Sequence, residues 1–140
     1  MAKDARQYAR ISVDLPANMK LAGATPGAKW LSVVAVLWAT QNLTDGEVTP
    51  AVMTALAGVP AKASKELMER GVWHSRGHCC PDCPQPTVRG NVRIHHYLLH
   101  QDDAHTIRES REKKAEAGRR GNHEKWGHPH PFEGCPRCNR

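Results

Sequence analysis

The sequence predicts an α+β fold, and three observations predict it. Two Thr-Pro pairs, Thr25-Pro26 and Thr49-Pro50, each open a stretch of apolar periodicity. That is the mark of a hydroxyl N-cap followed by proline in the first helical turn. A third helical stretch ends at Gly71, and two short β-type segments then flank a long loop rich in Gly, Pro, Cys and His.

Taken in order, residues 8–14 alternate weakly and predict a short extended segment, and residues 15–23 read as a loop. The first helix runs from Pro26 to about Gln41. Trp30, Val33, Val34, Leu37 and Trp38 recur at three- and four-residue intervals and are expected to form its buried face. Asp45-Gly46 is a turn signal, and Glu47-Val48 a very short extended piece. The second helix runs from Pro50 to about Ala57, with Val52, Met53 and Leu56 inward, and Gly58-Val59-Pro60 breaks it. The third spans about residues 61–70, with Ala63, Leu67 and Met68 inward and Gly71 as its C-cap glycine. Residues 72–74 and 91–98 then read as strands, the second alternating through Val92, Ile94 and His96.

Beyond Leu99 large apolar residues almost vanish. Residues 102–120 are dense in charge, with Glu109/Lys113 and Glu116/Arg120 at favourable i,i+4 spacing, and predict an exposed helix ended by Gly118, Gly121 and Asn122. The organisation expected is a domain over 1–100, a charged helix or linker over 101–121, and a Cys/His tail over 122–140.

Composition bounds the core. Of 140 residues 39% are apolar, but there is one Phe and two Tyr, so the core rests on Val, Leu, Ala, Met and Trp and is modest. Domains of this size gain stability from metal staples. The net charge of +6 suits an anionic partner, most simply nucleic acid, though it equally serves solubility. No signal peptide is legible in residues 1–10, and the longest apolar run, residues 30–39, is too short to span a bilayer, which needs about 20 residues. The expected location is the cytoplasm, with no membrane partner.

The five cysteines are odd in number and clustered, which favours a metal over disulfides in a reducing compartment. Two Cys-Pro-x-Cys knuckles, Cys80-Pro81-Asp82-Cys83 and Cys135-Pro136-Arg137-Cys138, each turn two thiolates inward, as tetrahedral zinc requires. For the first, His74, His78, Cys80 and Cys83 are the candidate ligands, with the fourth position open among His74, Cys79, His95 and His96. For the second, His123 and His128 join Cys135 and Cys138, with His130 also at hand. The expectation is structural zinc, one or two per chain, the single-ion version placing all four knuckle cysteines on one shared zinc.

Helix, short strand, helix, tight turn, helix and a strand pair joined by a loop is the order of a winged helix-turn-helix, whose third helix enters the DNA major groove. The candidate DNA-binding residues are Lys62, Ser64, Lys65 and Arg70 on that helix, Arg76, Arg89 and Arg93 in the wing, and Arg119 and Arg120 beyond it. Glu66 and Glu69 on the third helix oppose phosphate, which confines contact to its first half. A nuclease reading, prompted by Asn122-His123, finds Glu124 and Glu133 isolated rather than paired. An adaptor that holds a replication protein, such as a helicase or polymerase subunit, through the winged domain or exposed helix is the alternative to DNA binding.

Several motifs in order, Tyr8-Ala9-Arg10-Ile11, Gly71-Val72-Trp73-His74, residues 77–86, Ile94-His95-His96-Tyr97-Leu98, and residues 117–123 with Trp126, span most of the chain. On these the sequence resembles small winged helix-turn-helix DNA-binding proteins of actinobacterial phages, some described as replisome-organiser or replication-initiation-like. The resemblance implies a DNA-binding role in phage or prophage replication or regulation. The chain departs from that pattern at Gly127 and in a shorter spacer before the last cysteines, which leaves the tail's histidine ligands open.

Overall fold

Helices carry the first half of the chain and one starts at each Thr-Pro pair, and the computed structural model describes residues 7–125. The elements are α1 (Met19–Ala22), α2 (Pro26–Asn42), β1 (Glu47–Val48), α3 (Pro50–Ala57), α4 (Lys62–Glu69), β2 (Trp73–Ser75), β3 (Val92–Ile94), α5 (Tyr97–His100) and α6 (Ala104–Lys125). The chain divides into two units, residues 1–103 and 104–140. No helix among the described residues is long and apolar enough to cross a membrane.

Thr25 caps α2, its hydroxyl accepting from the Ala28 amide at 3.3 Å. At α3 the same signal resolves differently: Thr49 makes no cap bond, and its hydroxyl donates instead to Asn91 Oδ1 at 2.8 Å. Gly71, at φ +69°, ends α4 as predicted. The Val72 amide reaches Leu67 O and the Gly71 amide reaches Met68 O, the paired bonds of a Schellman turn.

The buried face of α2 is not the expected one. Ala28, Leu31, Ala35 and Ala39 are fully buried, while Trp30 and Leu37 are about half exposed. Small residues let α3 and α4 approach closely; Trp38 still packs partly buried against the core, while Trp30 and Leu37 turn outward. On α3 Met53 goes inward as expected, joined by Thr54, but Val52 and Leu56 stay exposed. Residues 8–14 form no strand. They are held instead by Gln101, whose Oε1 accepts from the Arg10 amide at 3.0 Å, and by an Arg10–Asp102 ion pair.

The strands form one antiparallel sheet in the order β1-β3-β2, with Glu47 opposite Arg93, Val48 opposite Val92, and Trp73 opposite Ile94. Residues directly opposite share a face and successive residues alternate. Val48, Val92, Trp73 and Ile94 therefore line one face, which packs with Leu31, Met53 and Leu67 into the core. Glu47, Arg93, His74 and His95 fall on the other face, and the loop over residues 76–91 is tied to it by the contacts described below. The second strand is shorter than expected: at His96 the backbone turns left-handed (φ 54°) and α5 begins. Gly46, at φ +82°, is obligatory, because a Cβ there would stand 2.6 Å from the Tyr97 ring.

α6, taken by itself, is a 22-residue helix that runs through Gly118, Gly121 and Asn122, the residues expected to stop it. The Lys113–Glu109 and Arg120–Glu116 pairs form as predicted, at 2.6 and 3.3 Å.

Candidate metal centre

The polar sheet face supplies half of a metal-binding cluster. His74 follows core-facing Trp73, and His95 follows core-facing Ile94, so the pleat turns both imidazoles to the loop side. The knuckle brings Cys80 and Cys83 over them. One ligand atom from each of His74, Cys80, Cys83 and His95 lies within 4.8 Å of all the others. His95 Nδ1 is 2.7 Å from His74 Nε2, 3.7 Å from Cys80 Sγ and 3.5 Å from Cys83 Sγ. Two sulfur and two imidazole donors converging on one point are the composition of a site that could hold a metal ion.

The electrostatics favour donors in the ligating form at the imidazoles. Burial, reinforced by Lys20 and by neighbouring histidines, pushes the His95 pKa down to about 4, and burial likewise lowers that of His74. Both rings are therefore neutral near pH 7 and offer lone pairs. Burial pushes the Cys83 thiol up, so an apolar pocket without a cation disfavours its thiolate, and a bound cation reverses that preference. The His96 amide, turned inward by the left-handed backbone, donates to Cys83 Sγ at 3.3 Å, a bond that stabilises sulfur charge. His96 itself stacks on His95 with ring centroids 3.6 Å apart and points its Nε2 at Asp82 Oδ2, 3.5 Å away. Cys80, Asp82 and His96 also converge within 4.8 Å.

Of the histidines expected in the first cluster, His74 joins it and His78 stands beside it. The His78 ring stacks on His74, its Nδ1 accepts from the Cys80 amide at 3.2 Å, and its Nε2 lies 3.2 Å from Pro84 O. With both nitrogens engaged, His78 orients the knuckle, and His95 completes the foursome.

The loop has a second anchor that sequence reasoning missed. The Glu47 carboxylate accepts from the Thr87 amide and hydroxyl, the Val88 amide at 2.8 Å and Asn91 Nδ2, and pairs with Arg93 at 3.1 Å. Burial alone would raise its pKa, but the Val88 and Thr87 hydrogen bonds outweigh that and bring it down to about 2. The available signal was an acid and a base in two short strands otherwise made of apolar residues.

The DNA-binding candidates divide. Lys62 and Lys65 on α4, Arg76 and Arg89 on the loop, and Arg119 and Arg120 on α6 are exposed. Ser64 is buried, because α4 turns Ala63, Ser64 and Leu67 inward, and its hydroxyl donates to Ala61 O at 2.8 Å. Arg93 is buried at 8% exposure and consumed by Glu47 and the Asp45 carbonyl. Arg70 is partly buried, bound to Glu66 and to Gly23 O. These three are corrections to the expected outward set. In the tail cluster His123 is a buried residue of α6, while His128, Cys135 and Cys138 lie outside the described residues.

Comparison with protein-family models, with curated proteins and with solved structures finds no match.

Proposed function

We propose that this protein is a non-enzymatic, double-stranded-DNA-binding protein of the winged helix-turn-helix kind, with the 76–91 loop as a wing fastened by structural zinc. The observation that carries the reading is topological. The order α2-β1-α3-α4-β2-β3, with a sheet ordered β1-β3-β2, is compatible with the order expected of a winged helix-turn-helix and so supports the reading. In that arrangement α4 is the helix that enters the major groove and the wing lies along the backbone. Lys62 and Lys65 are exposed on the first half of α4, and Arg76 and Arg89 on the loop. Glu66, which would repel phosphate, is engaged instead with the Thr25 amide and hydroxyl and with Arg70. A role in replication initiation or regulation, in a phage or prophage, follows from the resemblance drawn from the motifs above.

Zinc is the ion the donor set favours. Sulfur at about 2.3 Å and nitrogen at about 2.0–2.1 Å on a tetrahedron stand about 3.6 Å apart, and the two S···N distances to His95 are 3.5 and 3.7 Å; the two imidazole nitrogens, 2.7 Å apart, would have to part to about 3.3 Å on binding the ion. Two thiolates and two imidazoles fill four positions, the closed pattern of a structural rather than catalytic site. Because the cluster is complete without the tail, a separate ion there is favoured over one shared with Cys135 and Cys138.

Fluorescence anisotropy with a labelled duplex tests the reading. Binding is expected to weaken linearly in log K against log salt, and Lys62→Gln/Lys65→Gln to weaken it further. No binding at low salt would defeat the proposal.

A second reading, an adaptor for a host or phage replication protein, draws on the exposed apolar stripes Trp30/Leu37 and Val52/Leu56. A replication protein pulled down by wild type but not by Trp30→Ser/Leu56→Ser, with DNA affinity unchanged, would favour it.

A further inference from the structure

α6 is charged along its whole length, but its charges are not mixed. At about 100° per residue, Arg108, Arg111, Lys114, Arg119 and Lys125 fall within one arc of about 140° that holds no acidic residue. The four acids, Glu109, Glu112, Glu116 and Glu124, fall within the opposite arc of about 120°. The remaining cations, Lys113 and Arg120, lie on that acidic side and are neutralised by Glu109 and Glu116. A helix serving only as a solvated spacer would gain most from interspersed i,i+4 pairs all round. Here acids at that spacing reach only the edge of the basic arc, Glu112 four residues after Arg108 and Glu116 three before Arg119, while Arg111 and Lys114 have no acid three or four residues away in the helix.

We infer that the basic arc of α6 is a second nucleic-acid contact, laid along the phosphates of a DNA duplex; this rests on the DNA-binding reading above. Arg108, Arg111, Lys114 and Arg119 are exposed. From Arg108 to Lys125 the arc is about 26 Å long at 1.5 Å per residue, most of one duplex turn of about 34 Å. Between the cations stand Ala115, Gly118 and Asn122, with Ser110 and Gly121 just beyond the arc's edge, and neither glycine has an atom within 4 Å of where a Cβ would sit. Such a face suits close approach to a phosphate backbone. It suits an acidic protein less, because protein interfaces centre on a buried apolar patch, and only half-buried Ile107 is a large apolar residue on this side.

The experiment compares two matched single variants of the full chain in the duplex-binding assay. Lys114→Gln and Lys113→Gln remove the same charge from opposite arcs of α6. The expected result is that the first lowers the slope of log K against log salt by about one and weakens binding about threefold near 0.1 M salt, whereas the second changes little. Equal effects from the two variants would overturn the inference; if Lys62→Gln/Lys65→Gln still weakens binding, the winged-helix reading survives that result. A wild-type chain that ignores duplex DNA but retains an acidic protein through Arg108 and Lys114 would overturn both.

Discussion

The 76–91 loop and α6 are both stretches with little apolar material, and they are ordered by opposite means. Pro86 is a fully buried side chain of the loop, and Cys83 is buried, yet the loop makes no regular structure. What fixes it is a pair of distant anchors: the Cys80/Cys83 knuckle over His74 and His95, and the Glu47 carboxylate holding Thr87, Val88 and Asn91. α6, taken by itself, is built from backbone bonds and i,i+4 pairs. The loop is therefore expected to fail all at once when an anchor goes. The helix is expected to weaken by increments.

The largest effect that would test this contrast is loss of the metal site. In a Cys135→Ser/Cys138→Ser background, native mass spectrometry is expected to find one zinc per chain, and none after adding Cys83→Ser. A zinc chelator, or Cys83→Ser, is expected to lower Tm by at least about 10 °C, since metal binding of this kind is folding free energy. An unchanged melt would mean that the Glu47 anchor suffices alone.

The second anchor comes next. Arg93→Ala leaves the Glu47 charge buried without its partner and is expected to cost about 3–5 kcal/mol in urea denaturation. Replacing the pair together, as Glu47→Leu/Arg93→Met, should cost less than the sum of the single changes, because no lone charge remains. Additive losses would remove the coupling claimed for the pair.

pH resolves the same anchor more finely. The Glu47 pKa is about 2 in the folded chain against an ordinary 4.5, a depressed value. Its contribution, about 3 kcal/mol, is thus fully present above pH 4.5 and declines as pH falls toward 2. The stability gap between wild type and Glu47→Gln should be flat from pH 7 to 5 and begin to narrow below about 4.5. A gap independent of pH down to 3.5 would contradict the assignment.

The smallest effect belongs to α6. Gly118→Ala, where a Cβ meets nothing within 4 Å, is expected to raise helicity by circular dichroism and stabilise the helix by up to about 1 kcal/mol, with no change in zinc content. A loss of helicity would mean that Gly118 is held by something other than local propensity.

Much of the secondary structure is legible in the chain. The Thr-Pro starts, the Gly71 stop and the Cys-Pro-x-Cys knuckle depend on neighbours within a few residues, so sequence alone locates them. The buried sides of α2 and α3 are not legible in this way. Hydrophobic periodicity picks the bulkiest stripe, Trp30 to Trp38, but close helix packing favours Ala28, Ala35 and Ala39. The metal ligands split on the same line. Cys80, Cys83 and His74 announce themselves by spacing, whereas choosing His95 over His78 needs the sheet register that sets Trp73 opposite Ile94.

By itself, then, the sequence determined the α+β composition, the helix starts, the knuckle and the i,i+4 pairs of α6, because local steric and hydrogen-bonding rules act within one turn. Only the tertiary structure decided that Glu47 and Arg93 neutralise each other, that Ser64 and Arg93 are withdrawn from the surface, and that His95 completes the cluster. The Glu47, Arg93 and His95 outcomes depend on which residues meet across β3, and that of Ser64 on which face of α4 packs inward; both are long-range choices that no local window contains.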